Sequence, residues 1–203
     1  MTGLWIAPEP LVLASRSRSR QALLTAAGLP FIAAPADIDE RAAEQAMPGV
    51  GAAGVAAHLA RAKALATAAR HPGRLVLGAD QTLGLDDEIL SKPATLSAAA
   101  AQLARLSGRT HVLHSAICLT RDNDVLFEAA PQARLTMRAL TREFIARYCA
   151  AAGAAVLDSV GAYQLEGLGI HLFARVEGDH STILGLPLIE LLDFLRSQGY
   201  VAA

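Results

Sequence analysis

Residues 74–93 read RLVLGADQTLGLDDEILSKP, and the way this stretch is parsed decides the fold. Leu75-Val76-Leu77 is an apolar run with no polar interruption, as in a strand buried on both faces. The pattern breaks at Gly78, and a lone carboxylate, Asp80, stands where that strand is expected to end. Asp86-Asp87 marks a turn, after which the chain returns to Lys92-Pro93. A strand end and a hairpin-like return thus bring a carboxylate and an ammonium to one neighbourhood. Ligands bind at strand ends in open α/β sheets, and this charge pair suits a metal-bound phosphate. A strand-capping Asp and a solvated Lys would look the same in isolation, so the flanking segments have to decide.

On the N-terminal side, Leu11-Val12-Leu13-Ala14 reads as a strand. It runs directly into Ser15-Arg16-Ser17-Arg18-Ser19-Arg20 and a helical pattern from Gln21 to Ala27, closed by Gly28. A strand-to-helix junction rich in hydroxyls and guanidinium groups offers free N–H groups and the positive end of a helix dipole, which together hold polyphosphate. An N-capped surface helix with solvated arginines is the alternative. A second strand at Phe31-Ile32-Ala33-Ala34 ends in Asp37-Ile38-Asp39-Glu40. A phosphate-bound Mg²⁺ or Mn²⁺ needs one or two carboxylates, so Glu40 with Asp80 would suffice, unless the acids only start the next helix. Gly49, Gly51 and Gly54 spell G-x-G-x-x-G, but the helix-like EQAMP precedes them where a dinucleotide fingerprint needs a strand, so they read as a loop before a helix over 55–70. Lys63 on that helix either snorkels outward or reaches an anion in a cleft.

On the C-terminal side a helix over 97–107, a strand over 111–119, a strand-like run over 125–137 broken at Pro131 and a helix opened by Thr141 are expected. An odd offset on a strand puts His111 and His114 on opposite faces, which argues against a two-His metal site. The glycine-rich 158–169 segment suits close approach of backbone to a ligand, with Tyr163 or Glu166 able to read a base edge, or else it is a tight connection into a strand over 170–176.

The chain has 203 residues, 53% of them hydrophobic but only 4% aromatic, and a net charge of −1. That is a core-forming chain of small aliphatic residues, expected as one domain over 1–203 with no global attraction to nucleic acid or membrane. Cys118 and Cys149 are expected as free buried thiols, and the absence of a basic leader or a membrane-length apolar run points to the cytoplasm. Walker, nucleophile-elbow, H-E-x-x-H and paired C-x-x-C motifs are absent. The remaining acids and cations are equipment for metal-assisted attack of water on a phosphoanhydride.

Taken in order, LVLASRSRSRQALLTAAGLPF, ADIDER, LGADQTLGLDDEILSKP, LSGRTH and DSVGAYQLEGLGIHLFARVEGDHSTILGLPL resemble the Maf family of nucleoside triphosphate pyrophosphatases over nearly the whole chain. The resemblance implies an α/β fold with an elongated mixed sheet and flanking helices, two lobes around a central cleft as in inosine triphosphate pyrophosphatases, a divalent metal (Mg²⁺ or Mn²⁺) and a homodimer. It implies conversion of a nucleoside triphosphate to the monophosphate and pyrophosphate. By position it assigns Ser15, Arg20, Lys63 and Lys92 to the phosphates, Asp80 to the general base, and Glu40 with Asp80 to the metal. The family's usual Ser-Pro-Arg-Arg is Ser17-Arg18-Ser19-Arg20 here, so Arg16 or Arg18 has to stand in for the arginine replaced by Ser19. Ser19, Gln81 and Glu166 are the specificity positions. Gln81 and Glu166 are similar to the branch acting on 7-methyl-GTP, and a carboxylate can accept from guanine N1–H and its exocyclic amine. A broader or dTTP/UTP-directed activity, and a non-catalytic nucleotide-binding role in cell division, are the alternatives.

Overall fold

The computed structural model describes residues 3–45, 47 and 49–202, with backbone only for Arg41 and Gln45. Of the EQAMP stretch, Ala46 and Pro48 lie outside the described residues. The architecture is a mixed α/β layer built on an eight-stranded sheet. β1 (Leu11–Leu13) lies between β2 (Phe31–Ala33) and β3 (Leu75–Leu85), parallel to both. The crossovers carry α1 (Arg18–Ala26), α2 (Glu40–Gln45) and α3 (Ala52–Ala68). From β3 outward the sheet is antiparallel: β5 (Thr110–Arg121) pairs with β3, β7 (Gln132–Met137) with β5, and β8 (Phe173–Glu177) with β7. β4 (Glu88–Leu90) folds back on β3, and β6 (Asp124–Ala129) on β5. α4 (Leu96–Leu106), α5 (Arg142–Ala152), the short α6 (His180–Ile183) and α7 (Leu188–Ser197) complete the chain.

β3 departs from the expected parse. The strand does not stop at Gly78 but runs on to Leu85, paired with β5 from Leu75 opposite Arg121 to Gly84 opposite Val112. Asp80 is therefore a mid-strand residue, opposite Ala116. Gly78 is there because α3 lies against it: a Cβ at Gly78 would come within 2.1 Å of the Ala60 carbonyl oxygen and 2.8 Å of the Ala64 Cβ. The small side chains Ala56, Ala60 and Ala64 give that helix a face thin enough to approach the strand, with alanine also the strongest helix former. The turn after β3 is as expected, with Asp86 at φ 53°.

Two hydrophobic cores flank the long strands. One gathers Leu11, Leu13, Leu24, Leu77, Ile117, Leu119 and the inner face of α7, while the other gathers Leu83, Leu103, Leu113, Leu135, Tyr148, Tyr163 and Leu172. β3 and β5 contribute to both, so residues near the middle of β3 sit between two packed bodies. Two further expectations shift. α1 begins at Arg18, capped by the Ser17 hydroxyl, earlier than the Gln21 start expected. Residues 168–172 form a 3₁₀ turn instead of strand, because Gly169 folds tightly back on Gln164, its N–H donating to the Gln164 carbonyl at 3.1 Å. Cys118 and Cys149 are free and buried. No described helix is long and apolar enough to cross a membrane.

Candidate active site

A cavity of about 1220 Å³ opens beside the middle of β3, between the β1–α1 junction, α2, α3 and the 158–166 segment. It is lined by Ser15, Ser19, Arg20, Glu40, Lys63, Asp80, Gln81, Lys92 and Glu166, which are all of the residues that the family resemblance assigned; Tyr163, the other candidate, is not among its lining. They arrive from six places: the β1–α1 junction, the start of α2, the middle of α3, the middle of β3, the segment after β4 and the 158–169 loop.

Lys63 is the centre of the charged half. It is buried on α3, and its Nζ lies 2.5 Å from Asp80 Oδ1 and 2.9 Å from Glu40 Oε1. Glu40 therefore does both things its sequence allowed: it opens α2 and sends its carboxylate to the cleft. Asp80 is only 7% exposed. Burial pushes its carboxyl above the ordinary carboxylate range, while Lys63 and Arg20 pull it back. A carboxylate pushed up in this way is a stronger base than a solvated one.

Arg20 sits in the first turn of α1, where the Ser17 cap directs the helix. Its guanidinium donates to the Gly185 carbonyl (2.8 Å), the Ala79 carbonyl (2.8 Å) and Ser15 Oγ (3.2 Å). Burial lowers its pKa against the pull of Asp80 and Glu40, and at physiological pH it remains a cation. Arg20 is thus a strut tying α1 to β3 and to the turn after α6, with the rest of its fork left for an anion. Arg16, Arg18 and Lys92 are exposed on the cleft wall and have no ion pair among the described residues.

The other half of the cleft carries little charge. A smaller recess, about 40 Å³, is lined by Ser19, Gln81, Ser159, Tyr163, Gln164 and Glu166 among others. Gln81 Nε2 lies 2.8 Å from Ser115 Oγ, 3.0 Å from the Ile183 carbonyl and 3.2 Å from the Thr182 carbonyl. Ser115 Oγ gives its single proton to the Thr182 carbonyl at 2.6 Å, so it can only accept from Gln81. Every partner on that side is an acceptor, which forces the amide nitrogen inward and leaves Gln81 Oε1 as the free group. Glu166 on the rim is also an acceptor and receives a long hydrogen bond from Ser19 Oγ, 3.4 Å.

Tyr163 corrects an expectation. Its hydroxyl is 2.6 Å from His111 Nε2 and the residue is 4% exposed, so it gives the recess a ring wall and no polar handle. His111 is buried, with no described partner for Nδ1, and burial lowers its pKa to about 4. Ser115 went unnoticed in sequence because it is one hydroxyl within an apolar strand. Its only signal is a register position opposite Gln81, which no sequence periodicity supplies.

The donor chemistry fits a hard divalent cation. Two carboxylates already converge on one cationic centre, the Lys63 ammonium, and oxygen ligands of this kind suit Mg²⁺ or Mn²⁺ when substrate oxygens and water fill the remaining positions. Among the described residues no group of three or more His, Cys, Asp or Glu side chains gathers to cage a metal.

The molecule is an α/β protein with a mixed-charge cleft whose arginines and lysines present donors suited to an anionic ligand. Residues 10–198 match the family of Maf-like proteins, and the chain belongs to the Maf family. It is 55% identical over 195 residues (96% of each chain) to a protein of Nitrobacter winogradskyi named nucleoside triphosphate pyrophosphatase. It is 56% identical over 200 residues (98% of each) to a Rhodopseudomonas palustris protein of the same name. A Mesorhizobium japonicum protein named 7-methyl-GTP pyrophosphatase is 51% identical, over 95% of this chain and 98% of that one. Among solved structures, a dITP/XTP pyrophosphatase of Mycobacterium abscessus aligns with 94% of this chain and 95% of its own at 16% identity and a TM-score of 0.44, too distant to add to that assignment.

Proposed function

We propose that this protein hydrolyses the α–β phosphoanhydride of a nucleoside triphosphate, releasing the monophosphate and pyrophosphate, and that its preferred substrate carries a guanine-type base such as 7-methylguanine. The observation that carries the reading is the convergence of Glu40, Lys63 and Asp80 in one cleft, with Arg20 tied to the peptide just before Asp80. Relatives named for this activity match along nearly their whole length.

In this reading Asp80 orients a water molecule and takes its proton as the water oxygen bonds to the α-phosphorus and the bond to the bridging oxygen breaks. The negative charge that builds on the leaving pyrophosphate faces Lys63, Arg20 and Lys92. Ser15 holds Arg20 by accepting from its Nη1 and marks the β1–α1 junction where phosphate oxygens meet backbone N–H groups. Glu40 and Asp80 would hold Mg²⁺ or Mn²⁺, which when bound supplies charge neutralisation on the phosphate oxygens.

Base preference follows from the half of the cleft that holds Gln81 and Glu166. Gln81 Oε1 and the Glu166 carboxylate are both acceptors, so the edge they read has to donate. Guanine offers N1–H and an amine there, whereas uracil and thymine offer a single N–H between two carbonyls. A methylated guanine also carries positive charge, which Glu166 favours. One relative is named for 7-methyl-GTP.

The test is pyrophosphate release from a panel of canonical and 7-methylated triphosphates with Mg²⁺ or Mn²⁺, alongside Glu166→Gln. Release that is fastest for 7-methyl-GTP, and loses that lead in the variant, is expected. Nucleotide binding without product would replace the enzyme with a sensor, and equal rates on UTP would overturn the base assignment alone.

A further inference from the structure

We propose that Lys63 acts as a resident counter-ion that keeps the Glu40–Asp80 pair closed to divalent metal until a triphosphate binds, so that metal and nucleotide enter the site together. This rests on the pyrophosphatase reading and adds an order of assembly to it.

The Lys63 ammonium occupies the space between the two carboxylates, 2.5 Å from Asp80 Oδ1 and 2.9 Å from Glu40 Oε1. A divalent ion held by Glu40 and Asp80 would have to displace it. Lys63 is held at the acid pair: its side chain is 9% exposed and the helix that carries it is packed against β3 through the Gly78 contact. The charges of Asp80, Glu40, Lys63 and Arg20 sum to zero. A free divalent ion added to that group would bring two further positive charges beside the buried Arg20 guanidinium, a cost that solvent at the half-exposed Glu40 side screens only in part. A triphosphate reverses the balance. Its oxygens give the ammonium a new partner within the cleft, and their negative charge offsets the incoming metal. Metal and nucleotide then bind with positive coupling, each raising the affinity for the other by the same factor.

The test is Mn²⁺ binding to the full-length protein, read as protein-bound ion by electron paramagnetic resonance or water-proton relaxation and independent of turnover. Without nucleotide the wild type is expected to bind Mn²⁺ weakly, and Lys63→Met to bind it at least about tenfold more tightly, since removing the competing cation removes the coupling cost. Adding Asp80→Asn to Lys63→Met should abolish the gain, which places the ion at the acid pair. Equal affinity in wild type and Lys63→Met overturns the proposal. Should Lys63→Met not fold, the wild type alone decides: low-micromolar Mn²⁺ affinity without nucleotide overturns it, and retention of Mn²⁺ only with a GTP analogue carrying a methylene α–β bridge supports it. Pyrophosphate release measured on the same preparation separates the two failures. An active protein that binds Mn²⁺ tightly by itself refutes the assembly order and leaves the reaction standing.

Discussion

The two halves of the cleft meet at one peptide bond, between Asp80 and Gln81, yet they are held by different forces. Asp80 faces α3 and lies in a cluster of two acids and two cations, compensated by its own members. Gln81 faces α6 and lies in an uncharged network whose geometry is fixed by backbone carbonyls of Thr182 and Ile183 and by the Ser115 hydroxyl. Charge clusters tolerate small displacements because Coulomb energy changes slowly with distance, whereas hydrogen bonds are directional. The charged half should therefore set rate, and the uncharged half should set which base is accepted.

The largest expected break is on the charged side. Asp80→Asn keeps the shape and a hydrogen-bond acceptor for Lys63 but cannot take a proton. The turnover number for pyrophosphate release should fall by about three orders of magnitude, the scale of lost general-base catalysis with lost charge stabilisation. The melting temperature should fall modestly, because the buried Lys63 and Arg20 then keep only the half-exposed Glu40 as a counter-charge. Discrimination between guanine and pyrimidine triphosphates, read from residual rates, should be unchanged. A shift in that ratio would erase the division between the halves.

Next in size is a pH effect on the uncharged side. His111 is 1% exposed and its folded pKa is about 4, against an ordinary value of 6.5. The unfolded chain takes up the proton first as pH falls. The neutral imidazole's contribution is therefore fully present above about pH 6.5 and is lost progressively as pH falls toward 4, amounting to about 3 kcal/mol. Chemical denaturation at pH 7 and at pH 4.5 should show this loss, and His111→Gln, which cannot titrate but can still meet the Tyr163 hydroxyl, should reduce it. An unchanged acid slope in the variant would assign the loss to carboxylates elsewhere.

The charged half was legible in sequence because its residues advertise themselves. An acid beside apolar strand residues, a lysine on an Ala-rich helix and arginines at a strand–helix junction are unusual enough to be picked out one at a time. What sequence misread was their setting. Gly78 and Asp80 look like the end of a strand, but the glycine makes room for α3 and the aspartate is matched by Lys63, so β3 passes through both. The uncharged half was half hidden. Gln81 stood out only through family resemblance, and Glu166 through that and through the glycine-rich loop it lies in. Gln81, Ser115 and the Thr182 carbonyl come together across intervals of 34 to 101 residues, through strand register and the α6 turn. Tyr163 was visible as an aromatic in a glycine-rich loop, but its hydroxyl is committed to a histidine that looked like an ordinary strand residue.

A smaller and sharper effect belongs to Ser115→Ala. The residue is fully buried and touches nothing charged, and its loss leaves Gln81 Nε2 with the Ile183 and Thr182 carbonyls only, at 3.0 and 3.2 Å. The amide is then less firmly held with its oxygen outward, and the preference for a donating base edge should weaken. The ratio of kcat/KM for 7-methyl-GTP over UTP should drop by about tenfold, near 1.4 kcal/mol. The turnover number on the better substrate should change little. Ser115→Thr, which restores a hydroxyl at the same place, should recover much of the ratio if the extra methyl is accommodated. A fall in turnover with the ratio intact would show that Ser115 serves packing of β5 and not the orientation of Gln81.

The smallest effect tests whether an exposed arginine takes over from the guanidinium that Ser19 replaces. Arg16 and Arg18 line the cleft, exposed and without acidic partners among the described residues, whereas Arg20 is already committed to two carbonyls and a hydroxyl. A solvated arginine contributes little to binding and is screened by salt, so Arg18→Ala should raise KM only about threefold at low ionic strength and less at 0.5 M salt. Arg16→Ala should behave alike if the two share the task, and the double variant should exceed the product of the singles if each compensates for the other. A single substitution that raised KM a hundredfold would mean that the arginine leaves solvent and closes over the triphosphate, giving the charged half a moving part that its buried members, Arg20 and Lys63, do not have.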